Sequence, residues 1–202
     1  MMKRSLLGLV VLLGLALQAC SPKSQDECGF VQNVYGERIS WKADVPVVMQ
    51  LHKNFPEEFV GAAIAAAESW NKNVGRKVIE ISGERYTGPD QAQKDNLNVI
   101  YFYPTWESDR PTEQARTSVY WVGDLIKEAD IRINDKNFDF YWNQAGKSAD
   151  INIEALLIHE MGHVLGLKHK DSGNSVMATY LASNTNRVEL AETDRSSLKC
   201  EY

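Results

Sequence analysis

His159-Glu160-Met161-Gly162-His163-Val164-Leu165-Gly166-Leu167-Lys168-His169 is the stretch on which the rest of the chain hangs. It continues an apolar run whose spacing predicts a helix from about Asn152 to Gly166. At roughly 100° per residue, His159 and His163 lie about 40° apart and one turn apart along the axis. Leu157, Met161, Val164 and Leu165 fall on the opposite side, where they can bury against a sheet. The two imidazoles therefore face a cleft from a helix anchored behind. Glu160 sits beside them but points elsewhere, which suits a proton acceptor rather than a ligand. Gly166 has no Cβ, so it can take the left-handed conformation that ends a helix and turns the chain. Three residues later His169 can swing back to the same place.

Two imidazoles at i and i+4 suit zinc, and a third leaves the fourth position open to water, as in catalytic rather than structural sites. With average residue frequencies, the motif extended by Gly166 and His169 occurs by chance in on the order of one such chain in 100,000. His52 is the remaining one of the four histidines.

Outward from this helix, Phe59, Ala63, Ala66 and Trp70 recur at helical spacing behind Pro56, a stripe that reads as core. Ile39 to Leu51 suggests a strand or two, and Val78 to Ile81, Leu97 to Tyr103, Thr117 to Val122 and Ala129 to Ile133 read as strands. Gly83 to Asp95 reads as turn-rich, Gly123-Asp124 as a tight turn, and Asn134 to Ala149 as a loop whose aromatic residues pack on something. A short helix is expected around Glu192 to Leu198. A helix, several strands and late helices make a single α+β domain.

The N-terminus reads as an address. Lys3 and Arg4 precede an apolar run from Leu6 to Leu17, too short to span a bilayer comfortably. Leu17-Gln18-Ala19-Cys20 resembles a bacterial lipobox, which implies lipid on Cys20, and Ser21 after it resembles outer-membrane sorting. The expected divisions are a leader at 1–19, a lipidated start and tether at 20–36, and one catalytic domain at 37–202. The expected location is outside the cytoplasm, periplasmic or at the surface, with the lipid as membrane partner. Cys28 and Cys200 remain and are a candidate disulfide in an oxidising compartment; two unpaired thiols are the alternative. The formal charge of -5, from 22 basic and 27 acidic residues, becomes 20 against 27, or -7, once Lys3 and Arg4 leave. Such a balance argues against a nucleic-acid partner.

The extended motif resembles the zinc signature of the metzincin metalloproteases, in its matrixin-like form. Ser175-Val176-Met177 is similar to the family's methionine turn, with Met177 eight residues after His169. The resemblance implies a twisted, mostly parallel sheet with an edge strand, an active-site helix and a C-terminal helix. It also implies one catalytic zinc on His159, His163 and His169, with Glu160 as general base and then acid in peptide-bond hydrolysis. The substrate would be an extended peptide added to a sheet edge, either Thr117 to Val122 or Ile131 to Ile133, and the enzyme a monomer. The chain departs from the pattern in several places. Lys170 stands where matrixins usually have serine, and Ala178-Thr179-Tyr180 replaces a proline-containing wall. A cysteine switch is missing, and His52 alone cannot build a second zinc site. Tyr180 sits one residue later than the tyrosine that assists the transition state in astacin-like relatives, and packing is preferred to catalysis as its role. Asp135, Asn137 and Asp139 offer oxygens for calcium, but a solvated turn is the plainer reading. Two other functions fit the same motif: a binding lipoprotein without activity, and a zinc hydrolase of cell-wall peptides.

Overall fold

The computed structural model describes residues 28–144, 146–171 and 174–202, so the leader, Cys20 and the start of the tether lie outside the described residues. Five strands form the main sheet: β1 (Val47–His52), β2 (Ile79–Tyr86), β3 (Val99–Tyr103), β4 (Ala115–Val122) and β5 (Leu125–Asn134), in the order β2-β1-β3-β5-β4. The first four in that order are parallel to their neighbours, while β4 runs antiparallel to β5 through the Gly123-Asp124 hairpin. This is the α+β fold that the residues predict, with the mostly parallel sheet and edge strand that the resemblance implies. It also decides between the two candidate edges. Ile131 to Ile133 lies in β5, bonded on both sides, whereas β4 has no strand on its outer side among the described residues.

Helices α1 (Val60–Val74) and α2 (Ile153–Val164) cover the sheet, and α3 (Glu192–Leu198) closes the chain. The α1 stripe is indeed core: Ala63, Ala66 and Trp70 are fully buried. Trp70 is the link to the site, because its indole N–H donates to the Ile158 carbonyl of α2 at 3.0 Å. In the stretch read as a loop, Phe140–Tyr141 (β6) pairs with Ile151–Asn152 (β7), and this pair delivers the chain into α2. Asn152 then caps the helix, its side chain accepting from the Ala155 N–H at 3.1 Å. Among the described residues no helix is long and apolar enough to cross a membrane.

Two expectations are corrected. Gly83 does not begin a turn but lies inside β2. The pairing slips there, since Met49 faces Ile81 while Leu51 faces Arg85, and a glycine lets the strand absorb the extra residues as a bulge. Residues 28–36, assigned to the tether, belong in part to the packed body. Phe30 is fully buried and forms an antiparallel bridge with Leu167, and Cys28 is bonded to Cys200 in the candidate disulfide.

The outer side of the sheet carries two neighbouring buried carboxyl groups, of which Asp130 gives the fold a pH dependence. Glu128 and Asp130 project from the same face of β5, both are buried, and each has one oxygen without a hydrogen-bond partner. Burial, then repulsion from Glu128 and Asp95, pushes Asp130 up to about 7, although the Val99 N–H and Arg132 act the other way. A carboxyl whose folded pKa is raised binds its proton more tightly in the native state. Its penalty is therefore absent below the unfolded pKa and grows as pH rises through the interval to the folded one. Asp130→Asn should remove that penalty. In a buffer free of divalent cations, we expect the variant to match the parent near pH 4. By pH 8 it should be the more stable, by up to about 4 kcal/mol in denaturant unfolding.

Candidate active site

Helix α2 is buried along nearly its whole length, and its end is built to turn. The Leu167 N–H donates to the Gly162 carbonyl and the Gly166 N–H to the His163 carbonyl, both at 2.9 Å, the two bonds of a Schellman motif. Gly166 has φ +95, as its role requires, and a Cβ there would overlap the Ile39 carbonyl. The remaining terminal carbonyls meet side chains: Trp41 donates to Val164 and the Tyr202 hydroxyl to Leu165, each at 2.8 Å. The segment beyond is pinned by the N-terminal strand. Val31 donates to the Gly166 carbonyl at 2.8 Å, and Lys168 to that of Gly29 at 2.9 Å.

That turn brings His169 back to the helix. The Nε2 atom of His163 lies 3.2 Å from that of His159 and 3.1 Å from that of His169. A tetrahedral zinc with Zn–N bonds of about 2.0–2.1 Å would hold its nitrogens about 3.3 Å apart, so the donor set fits that ion. Among the described residues this is the one group of three His, Cys, Asp or Glu side chains that converges in this way. The other ring nitrogens fix the tautomers. His159 Nδ1 faces the Val176 carbonyl at 2.7 Å and His163 Nδ1 faces that of Leu167 at 2.8 Å. Each Nδ1 therefore carries the proton and each Nε2 keeps its lone pair for a metal. Burial, then the neighbouring His163, holds His159 down at about 3, and the same two causes lower His169.

Glu160 is 4% exposed, and its carboxylate accepts from the Thr117 hydroxyl of β4 at 2.6 Å. Burial raises its pKa, with His163 and the Thr117 bond opposing the rise. Met177 lies beneath the helix at Gly162, where any Cβ would overlap its sulfur and crowd Trp70. Its turn is held by a residue that no local pattern marks: buried Asp194 of α3 accepts from the Ser175 hydroxyl at 2.5 Å and the Val176 N–H at 3.0 Å. The same residue thus steadies the carbonyl that orients His159.

A cleft of about 480 Å³ runs between β4 and the histidines, with Val119 and Trp121 among the lining residues from β4 and Thr179 and Leu181 from the opposite wall. Tyr180, read as packing, instead stands on the rim at 73% exposed, while Arg187 donates to its carbonyl at 3.1 Å. Its side chain finds no core because Leu181 turns inward in its place. His52 is buried among Tyr86 and Tyr101 and takes no part in the triad. Asp135, Asn137 and Asp139 lie in an exposed turn, with the Asn137 amide donating to the Pro111 carbonyl.

Fold and site together define a metallopeptidase-type catalytic domain, with three histidines able to hold a metal, two on a buried helix and one on the turn after it, beneath the edge strand β4. The chain belongs to the matrixin family, whose model matches residues 30–202. Membership implies zinc-dependent peptidase activity and a peptide substrate. None of the curated proteins compared with the chain matches it.

Proposed function

We propose that the protein is an exported zinc endopeptidase in which Glu160 serves as general base and then general acid. The observation that carries this reading is the convergence of His159, His163 and His169, with His163 Nε2 lying 3.2 Å and 3.1 Å from the other two Nε2 atoms and Glu160 beside them at the cleft. Zinc bound there would supply Lewis-acid polarisation of the scissile carbonyl and a water of lowered pKa. The chain's own groups do the rest. An extended peptide adds to the outer edge of β4, which no strand among the described residues pairs, and so comes to lie across the histidines. Glu160 takes the proton of the attacking water and delivers it to the leaving amine, so no covalent enzyme intermediate is needed. The Val176 and Leu167 carbonyls keep the two helix imidazoles in register throughout.

Export and a lipid on Cys20 are part of the proposal. The basic start, the apolar run and Leu17-Gln18-Ala19-Cys20 support them, and so does a disulfide of the kind that persists in oxidising compartments. The test is hydrolysis of a mixed peptide library by the zinc-loaded protein, with cell-wall peptides assayed alongside. Cleavage at internal bonds that a chelator abolishes and zinc restores is the expected result. Cleavage of cell-wall peptides alone, or of nothing, would overturn the endopeptidase reading.

A further inference from the structure

The hydrogen bond from β4 to Glu160 gives the edge strand a second task. Alternation along β4 turns Ala115, Thr117 and Val119 toward the cleft, and of these three Thr117 alone carries a polar side chain. Any β-branched residue would serve the strand at this position, since valine and threonine have nearly the same shape and similar β propensity. The hydroxyl is what differs, and it goes to Glu160, 2.6 Å from Oε2 against 3.3 Å from the backbone carbonyl. Its single hydrogen is therefore committed to the carboxylate. Among the described residues no other side-chain or backbone donor reaches that carboxylate. Glutamate has three side-chain torsions, and one fixed oxygen selects a rotamer for the whole group. The β4–β5 ladder, in which Thr117 faces Ile131, holds the donor itself in place.

We propose that Thr117 is the positioning residue of Glu160, its hydroxyl fixing one carboxylate oxygen so that the other is presented to the cleft. This inference rests on the general-base reading of Glu160. It also means that the strand that binds the peptide and the group that moves the proton are held at one point. A shift of β4 against α2 would misalign both at once.

The test is a comparison of zinc-loaded parent, Thr117→Val, Thr117→Ser and Glu160→Gln, with kcat, KM, zinc content and unfolding midpoint measured for each. Thr117→Val keeps the shape and loses the donor. Its kcat should fall roughly 10- to 100-fold, the range expected for a lost hydrogen bond to a charged group, with KM and zinc content unchanged. Thr117→Ser should recover most of that loss. A parental kcat in Thr117→Val beside an inactive Glu160→Gln would overturn the proposal and leave the general-base reading standing. Equal losses in the valine and serine variants would assign the effect to strand packing and overturn it too. An active Glu160→Gln would remove the general-base reading and this inference with it.

Discussion

Glu160→Gln is expected to lower kcat for peptide hydrolysis by roughly 10²- to 10⁴-fold, the range that general acid–base catalysis supplies. The substitution changes an oxygen to an amide nitrogen at nearly constant shape, so packing under β4 should survive. The Thr117 hydroxyl can still donate to the remaining oxygen. Because the proposed metal donors are the three imidazoles, zinc content should not change. KM should not change either, since in the proposed binding mode the β4 edge strand, rather than this carboxylate, holds the peptide. Steady-state kinetics beside metal analysis checks all three points. A variant that loses zinc in proportion to activity would show that Glu160 supports the metal rather than the proton transfer.

Removing the Cys28–Cys200 disulfide should have the largest effect on stability. The bond joins residues 172 apart in sequence. In the chain-entropy model, opening a loop of that length costs about 5 kcal/mol, and native disulfides typically contribute about 2–5. The consequence reaches the site because of what lies beside each cysteine. Gly29, Phe30 and Val31 follow Cys28 and pair with Gly166 to Lys168, the segment that carries His169 back to the helix. Cys200 follows α3, whose Asp194 holds the methionine turn. The double variant Cys28→Ser, Cys200→Ser should therefore unfold at much lower denaturant and release zinc faster than the parent. An unchanged midpoint would mean that the packing of Phe30 secures the N-terminal segment without the covalent link.

The parts of the molecule that were legible in the sequence are those governed by short-range periodicity. The i and i+4 histidines, the glycine that ends α2 and the alanine stripe of α1 each follow from helix geometry within a few residues. Resemblance to a known family extended that reading to Met177, which does pack under Gly162. What escaped depends on contacts between distant segments. Nothing near Asp194 shows that it will reach Ser175 and Val176, and nothing near Thr117 shows that it will reach Glu160. The order of the sheet left two strands as candidate edges until the pairing of β5 on both sides excluded one. Phe30 looked like tether because the short stretch around it shows no helical or strand period, and its partner Leu167 lies far away in the sequence. Gly83 was misread because a glycine in a bulge and a glycine in a turn have the same local signal.

In the proposed mechanism three imidazoles hold one zinc on which peptide hydrolysis depends. Titrating zinc into the metal-free protein, with binding and hydrolysis followed together for the parent and for His163→Ala, tests it most directly. His163 is the right residue to remove because its Nε2 is the atom within 3.2 Å of both other ligands. Hydrolysis should rise in step with zinc and level off at one ion per chain, while His163→Ala should bind zinc far more weakly and stay inactive. Full hydrolysis by the metal-free parent, or equally tight zinc binding by His163→Ala, would contradict it.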